Sequence, residues 1–235
     1  PVLIASIIPI INFLLVFFYL PETKPNNDSN KLKTILKNPL KQLFTVFKEE
    51  KIKKLSLAFF IYFIAFTGLT NILIFFLQES LNWTTKASSG TLVVVGIIAI
   101  IVQGGLIGPL VKQFGEMRLT LIGSGFILLA CSLLITAPKE NATINIYSAV
   151  SFLAVGAGLI TPTLRALISK KLDVDKQGSI LSNLQGLQSL GGVLGIAMAG
   201  RVYDSFGPKS PFIAGSVILL FMIYLIAEGK NNNSF

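Results

Sequence analysis

The chain has 235 residues, 52% of them hydrophobic and only 13% charged, with a mean hydropathy of +0.72. A water-soluble domain of this length needs far more charge to cover its surface, so the composition indicates an integral membrane protein. The net charge is +9 and there is no histidine, which removes His-based metal sites, general bases and proton relays.

Apolar runs close to the roughly 20 residues that cross a bilayer as a helix predict seven segments. They are Val2–Leu20, Leu55–Leu81, Gly90–Val111, Leu119–Ala137, Ile146–Ile168, Ser179–Tyr203 and Pro211–Ala227. The chain opens at Pro1 with neither an initiator methionine nor a signal-peptide pattern. The expectation is a chain cut from something longer, with one leftover helix ahead of a six-helix bundle. A mature protein cleaved near Pro1 is the alternative.

The loop at 21–54 is the only long one. It opens with the breaker-rich PETKPNNDSN, and Asn38-Pro39 then reads as an N-cap with proline at the first helical position. Leu40, Leu43, Phe44 and Phe47 follow at helical spacing, predicting an amphipathic helix near 39–50. It either lies on the membrane face or serves as a solvated tether. The domain reading is a transmembrane helix at 1–20, a cytoplasmic loop at 21–54, a six-helix bundle at 55–230 and a cytoplasmic tail at 231–235. Nine lysines fall in the long loop, and with Lys112, Arg118, Lys170, Lys171, Lys176 and Lys230 they make fifteen basic residues in alternate loops. The opposite loops hold four, Lys86, Lys139, Arg201 and Lys209. This asymmetry puts the loop at 21–54 and the carboxy terminus in the cytoplasm, and it gives the charge a topological meaning rather than a nucleic-acid partner. Cys131 is the single cysteine and lies within a span, so no disulfide framework exists.

The six later spans divide into two sets of three. GPLVKQFG (Gly108–Gly115) aligns with GRVYDSFG (Gly200–Gly207) at both glycines and the phenylalanine, with a charge in the fifth place of each. Each octapeptide ends the second helix of its set, at opposite membrane faces, as inverted-topology repeats require. Glycines at four-residue spacing, Gly104/Gly108 and Gly191/Gly195 with Ala199, offer small faces for close helix packing. Gly158, Pro162, Gly178, Gly186 and Gly200 join the packing candidates.

Polar side chains within spans are costly unless they face a cavity or a partner helix. Thr67, Thr70, Asn71, Gln103, Asn183, Gln185, Gln188 and Ser189 are such residues, and Tyr62, Phe66 and Phe75 can add aromatic walls. Each is a candidate for a substrate cavity or for an interhelical hydrogen bond. Arg165 is the one charge well inside a span. It either snorkels to the interface or serves in gating or anion attraction. No aspartate or glutamate stands mid-span, so the carboxylate that proton coupling ordinarily uses is expected outside this chain. The lack of histidine and of a buried carboxylate pair argues against an intramembrane enzyme, and no cofactor or metal is expected.

The stretch QGGLIGPLVKQFGEMRLTLIGSG (Gln103–Gly125) resembles the loop signature of the major facilitator superfamily, Gly-x-x-x-Asp-x-x-Gly-(Arg/Lys). Gly108 and Gly115 match, Lys112 takes the acidic place, and the base arrives late at Arg118 after Glu116. That departure fits the degenerate second copy of the motif, between helices eight and nine of the family, and weakens its reading as a charge-locked gate. Leu20–Thr23 (LPET) resembles the end of helix six in the drug–proton antiporters of that superfamily, tetracycline exporters included. Gly156–Ser169 and Gln177–Asp204 resemble their helices ten and eleven. The resemblance implies an all-α integral membrane fold: a major-facilitator-type six-helix bundle of inverted three-helix repeats, preceded by one transmembrane helix and a cytoplasmic loop. It also implies a proton-coupled exporter of hydrophobic or drug-like small molecules, working by alternating access. Its partners would be the substrate, protons, the lipid bilayer and a missing amino-terminal half, and its place the bacterial inner membrane. A transporter-like sensor or an assembly subunit is the alternative, and a homodimer is another way to supply the second half.

Overall fold

A computed structural model describes residues 2–19, 43–138 and 142–231. The LPET stretch, the PETKPNNDSN linker, residues 39–42 of the expected amphipathic helix and the tail at 232–235 lie outside them. The chain divides into two units, Pro1–Pro39 and Leu40–Phe235.

The first unit contains α1, Val2–Tyr19, in which Phe13 stacks on Phe17 at 6.1 Å between ring centroids.

The second unit contains α2 (Lys53–Ser80), α3 (Thr85–Phe114), α4 (Glu116–Thr136), α5 (Thr143–Ser169), α6 (Val174–Phe206) and α7 (Ser210–Asn231). These correspond to the six later segments of the sequence reading. By length and apolar composition, α2 to α5 and Ser210–Glu228 of α7 can cross a membrane. Although α6 is the longest at 33 residues, Asn183, Gln185, Gln188, Arg201 and Asp204 dilute its apolar character.

Short turns make sequence neighbours antiparallel, and the bundle pairs α4 with α5, and α2 with both α6 and α7, while α7 also meets α4. Small residues set the two main contacts. A Cβ on Gly123 would come within 2.9 Å of the Gly156 carbonyl oxygen, and one on Gly68 within 2.8 Å of that of Gly195. At such distances backbone faces backbone, and no side chain can yield. Gly158, Gly186, Gly191 and Gly195 all pack closely, but Gly104, Gly108, Gly178 and Gly200 meet nothing within 4 Å. These last four are therefore not packing glycines among the described residues, because no neighbouring helix covers their side of the helix.

The two octapeptides end alike. Gly115 has φ +76° and Gly207 φ +89°, a region glycine alone enters without strain, and each begins a tight junction to the next helix. Each amide donates to the carbonyl four residues back, Val111 and Tyr203 respectively, at 2.9 Å. Equivalent positions in the two three-helix sets thus share one backbone device.

Of the stretch expected to be an amphipathic helix, Phe44–Lys48 forms a short 3-10 turn. Leu43, just before it, is helical. Val46 and Ile52 are fully buried, and Thr45 accepts a hydrogen bond from the Asn183 side chain at 3.1 Å. Four ion pairs among the described residues gather at the same lysine-rich end: Glu116 with Lys170, Glu49 with Lys176 at 2.7 Å, Glu228 with Lys54 at 3.2 Å and Glu50 with Lys53 at 3.3 Å. The hydrogen bond to Glu49 holds the Lys176 ammonium above its ordinary pKa.

Candidate functional site

A cleft of about 290 Å³ opens between α2, α3 and α5. Phe66, Thr70 and Leu73 line it from α2, Thr91, Val95 and Gln103 from α3, and Ala154, Ala157 and Gly158 from α5. The threonine hydroxyls are engaged within their own helices: Thr70 donates to the Phe66 carbonyl at 2.9 Å and Thr91 to that of Ser88 at 2.6 Å. The Gln103 amide has no hydrogen-bond partner among the described residues. It stands in a π-helical turn, Val102–Leu106, where the helix takes in an extra residue. Gly158 lets this turn close onto α5, since a Cβ there would lie 2.9 Å from Val102 Cγ1. The result is a mostly apolar cleft with one uncommitted amide, the composition of a site for a small organic molecule.

The aromatic residues divide. Phe66 is wall, stacked on Tyr62 with centroids 5.5 Å apart and planes 13° from parallel. Tyr62 itself is fully buried, with its hydroxyl 3.3 Å from Thr161 Oγ1, so it supports the wall from behind. Phe75 is 57% exposed and forms with Thr67 and Asn71 a stripe of three residues at four-residue spacing on the more open face of α2. The Asn71 amide donates to the Thr67 carbonyl at 2.9 Å.

On α6 the polar residues take three roles. Asn183 holds the 3-10 turn through Thr45, at a distance from the cleft walls. Ser189 donates to the Gln185 carbonyl at 3.2 Å. Gln185 and Gln188 both turn their side-chain oxygens to Arg165, whose Nη2 donates to Gln185 Oε1 at 2.7 Å and also to Gln188 Oε1. The guanidinium lies 5.9 Å from the Phe59 ring centroid. Arg165 therefore makes its polar contacts with α6. A helical side chain leans toward the amino-terminal end of its helix, and for Arg165 that direction leads away from Lys170 and into the bundle.

In the loop motif, Lys112 and Arg118 are exposed, and the charge contact is made by Glu116, which reaches Lys170 at the end of α5. This clasp joins α4 to the α5–α6 turn. A further link between α4 and α5, with no marker in the sequence, is the pair of buried hydroxyls of Thr120 and Thr163, 2.9 Å apart. Among the described residues no group of His, Cys, Asp and Glu side chains could hold a metal ion.

Long apolar helices in an antiparallel bundle, with basic residues massed in alternate loops, define a polytopic helical membrane protein. Residues 1–196 match the Major Facilitator Superfamily, and the chain belongs to it. Among curated relatives, the class C tetracycline resistance protein of Escherichia coli is 24% identical, with 66% of this chain and 39% of that protein aligned. The class H tetracycline resistance protein of Pasteurella multocida is 27% identical over 56% of this chain and 32% of its own length. Human hippocampus abundant transcript-like protein 1 is 21% identical over 96% of this chain and 49% of its own length. The chain thus spans about half, or less, of the relatives it matches.

Proposed function

We propose that this chain supplies about half of a secondary active transporter that exports hydrophobic or drug-like small molecules by alternating access, coupled to protons. The observation that carries the reading is the cleft between α2, α3 and α5, apolar except for the uncommitted amide of Gln103. Two tetracycline resistance proteins among the relatives support a drug-like cargo. In this reading 1–20 is the last helix of an amino-terminal half, 21–54 a cytoplasmic connector, 55–230 the carboxy-terminal transport bundle and 231–235 a cytoplasmic tail. The lysine-rich end faces the cytoplasm, in a bacterial inner membrane. The coupling acid lies in the other half, because the carboxylates described here are engaged near helix ends or exposed. Glu79, for example, accepts a hydrogen bond from the Tyr203 hydroxyl at 2.9 Å.

The test is uptake of tetracycline into inside-out vesicles carrying the full-length protein, with and without an imposed proton gradient. Gradient-driven accumulation is expected, reduced about tenfold in Gln103→Leu, as for loss of one hydrogen bond to the bound cargo. Saturable binding without accumulation would sink the transport reading in favour of a sensor or assembly subunit.

A further inference from the structure

Arg165 is a cation inside the bundle with no acidic partner among the described residues. Its two hydrogen-bond acceptors are the neutral side-chain oxygens of Gln185 and Gln188. Gln188 lies fourteen residues from Val174 and eighteen from Phe206, close to the middle of α6, while Arg165 stands four residues before the end of α5 at Ser169 and is half-buried. A charge held among apolar helices without a counter-charge is expensive.

The donor inventory points to what would compensate it. A guanidinium carries five N–H donors, and only Nη2 is engaged here, leaving Nε and Nη1 free among the described residues. Both glutamines present their oxygens to the arginine, so their amide N–H groups are also uncommitted. The unused N–H groups of the three side chains are all donors, against one remaining lone pair on each glutamine oxygen. Gln185 is exposed, and the guanidinium lies over the Phe59 ring. A cluster that offers a positive charge and an excess of donors favours an anion over a cation. Arg165 also shares a face of α5 with Thr161 and Gly158, placing it seven residues, roughly 10 Å, along the helix from the cleft.

We propose that Arg165, Gln185 and Gln188 form an anion-binding site, and that the transported molecule has a flat apolar body and an acidic group of carboxylate type that docks there. This rests on the transport reading above and adds the charge of the cargo. An acidic side chain from elsewhere in a full-length protein would offer the same chemistry, and the experiment separates the two.

The experiment measures binding of two xanthene dyes of similar body and opposite charge, 5-carboxyfluorescein and rhodamine 6G, to the full-length protein in nanodiscs. Arg165→Gln is expected to weaken 5-carboxyfluorescein binding by about tenfold or more, the scale of a hydrogen bond to a charged group, and to leave any rhodamine 6G binding within about twofold. Gln185→Glu keeps the arginine and places a carboxylate on it, and the same selective loss is expected. Failure of the wild-type protein to bind 5-carboxyfluorescein overturns the proposal. So does an equal loss of both dyes in Arg165→Gln, which would assign the arginine to the fold or to an internal acid, or unchanged binding in Gln185→Glu. If proteoliposomes of the same protein bind 5-carboxyfluorescein through Arg165 but do not move it, the anion site stands and the transport reading fails.

Discussion

Helices α3 and α4 are both long, apolar and free of charge through their middles, yet 44% of the apolar window of α4 is buried in the bundle and only 11% of that of α3. Hydropathy reports whether a segment tolerates lipid and not whether another helix covers it. The difference comes from small residues with a partner. Gly123 of α4 meets Gly156 of α5 backbone to backbone, whereas Gly96 and Gly104 of α3 have nothing within 4 Å. The uncovered helix also carries a π-helical turn and the amide of Gln103, which has no partner among the described residues. The uncommitted amide therefore sits where the packing among the described residues is thinnest, beside the tight α4–α5 pair.

The comparison breaks first at the glycines. A Cβ on Gly156 would fall 2.6 Å from the Gly123 carbonyl oxygen, so Gly156→Leu should cost about 3 kcal/mol or more and lower the melting temperature in detergent sharply. Gly96→Leu on α3 should stay within about 0.5 kcal/mol of the wild type in the same melt, as an unobstructed surface change does. Equal losses at the two sites would show that α3 is covered after all. The junction joining the two helices comes next. Gly115→Ala, forced to φ +76°, should cost about 1–3 kcal/mol, with the loss read from the same denaturation curves. Smallest is Thr120→Val. It removes the hydroxyl facing Thr163 across 2.9 Å but leaves Thr163 its own bond to the Leu159 carbonyl, so the loss should be about 1 kcal/mol. A Thr120→Val, Thr163→Val double-mutant cycle should show coupling that no threonine of α3 would give.

The helices and their order were legible in the chain, because run length and breaker residues are local properties. The glycine junctions at Gly115 and Gly207 were legible too, as each ends an octapeptide with the same spacing. What the sequence left open depends on pairs of helices. Asn183 read as a cavity residue, but its partner is Thr45, 138 residues away. Tyr62 read as a cavity wall, and only the position of Thr161 on α5 makes it a buried support. For Arg165 the sequence offered the interface or the interior. The choice was made by two glutamines, twenty and twenty-three residues further on, which share an α6 face turned toward it. The π-helical turn at Val102–Leu106 had no marker, since an extra residue in a helical turn leaves the apolar pattern nearly unchanged.

Arg165 also bears on energetics of another kind. A fixed charge between helix ends sits inside the electric field of an energised membrane, where carrying one charge across the full thickness takes about 2.3 kcal/mol per 100 mV. Any rearrangement that moves α5 along the membrane normal performs electrical work on this arginine. An anion bound to it cancels that work. On the export reading proposed above, the loaded and empty forms would then respond differently to voltage, and the membrane potential would act on the return of the empty form more than on the outward step.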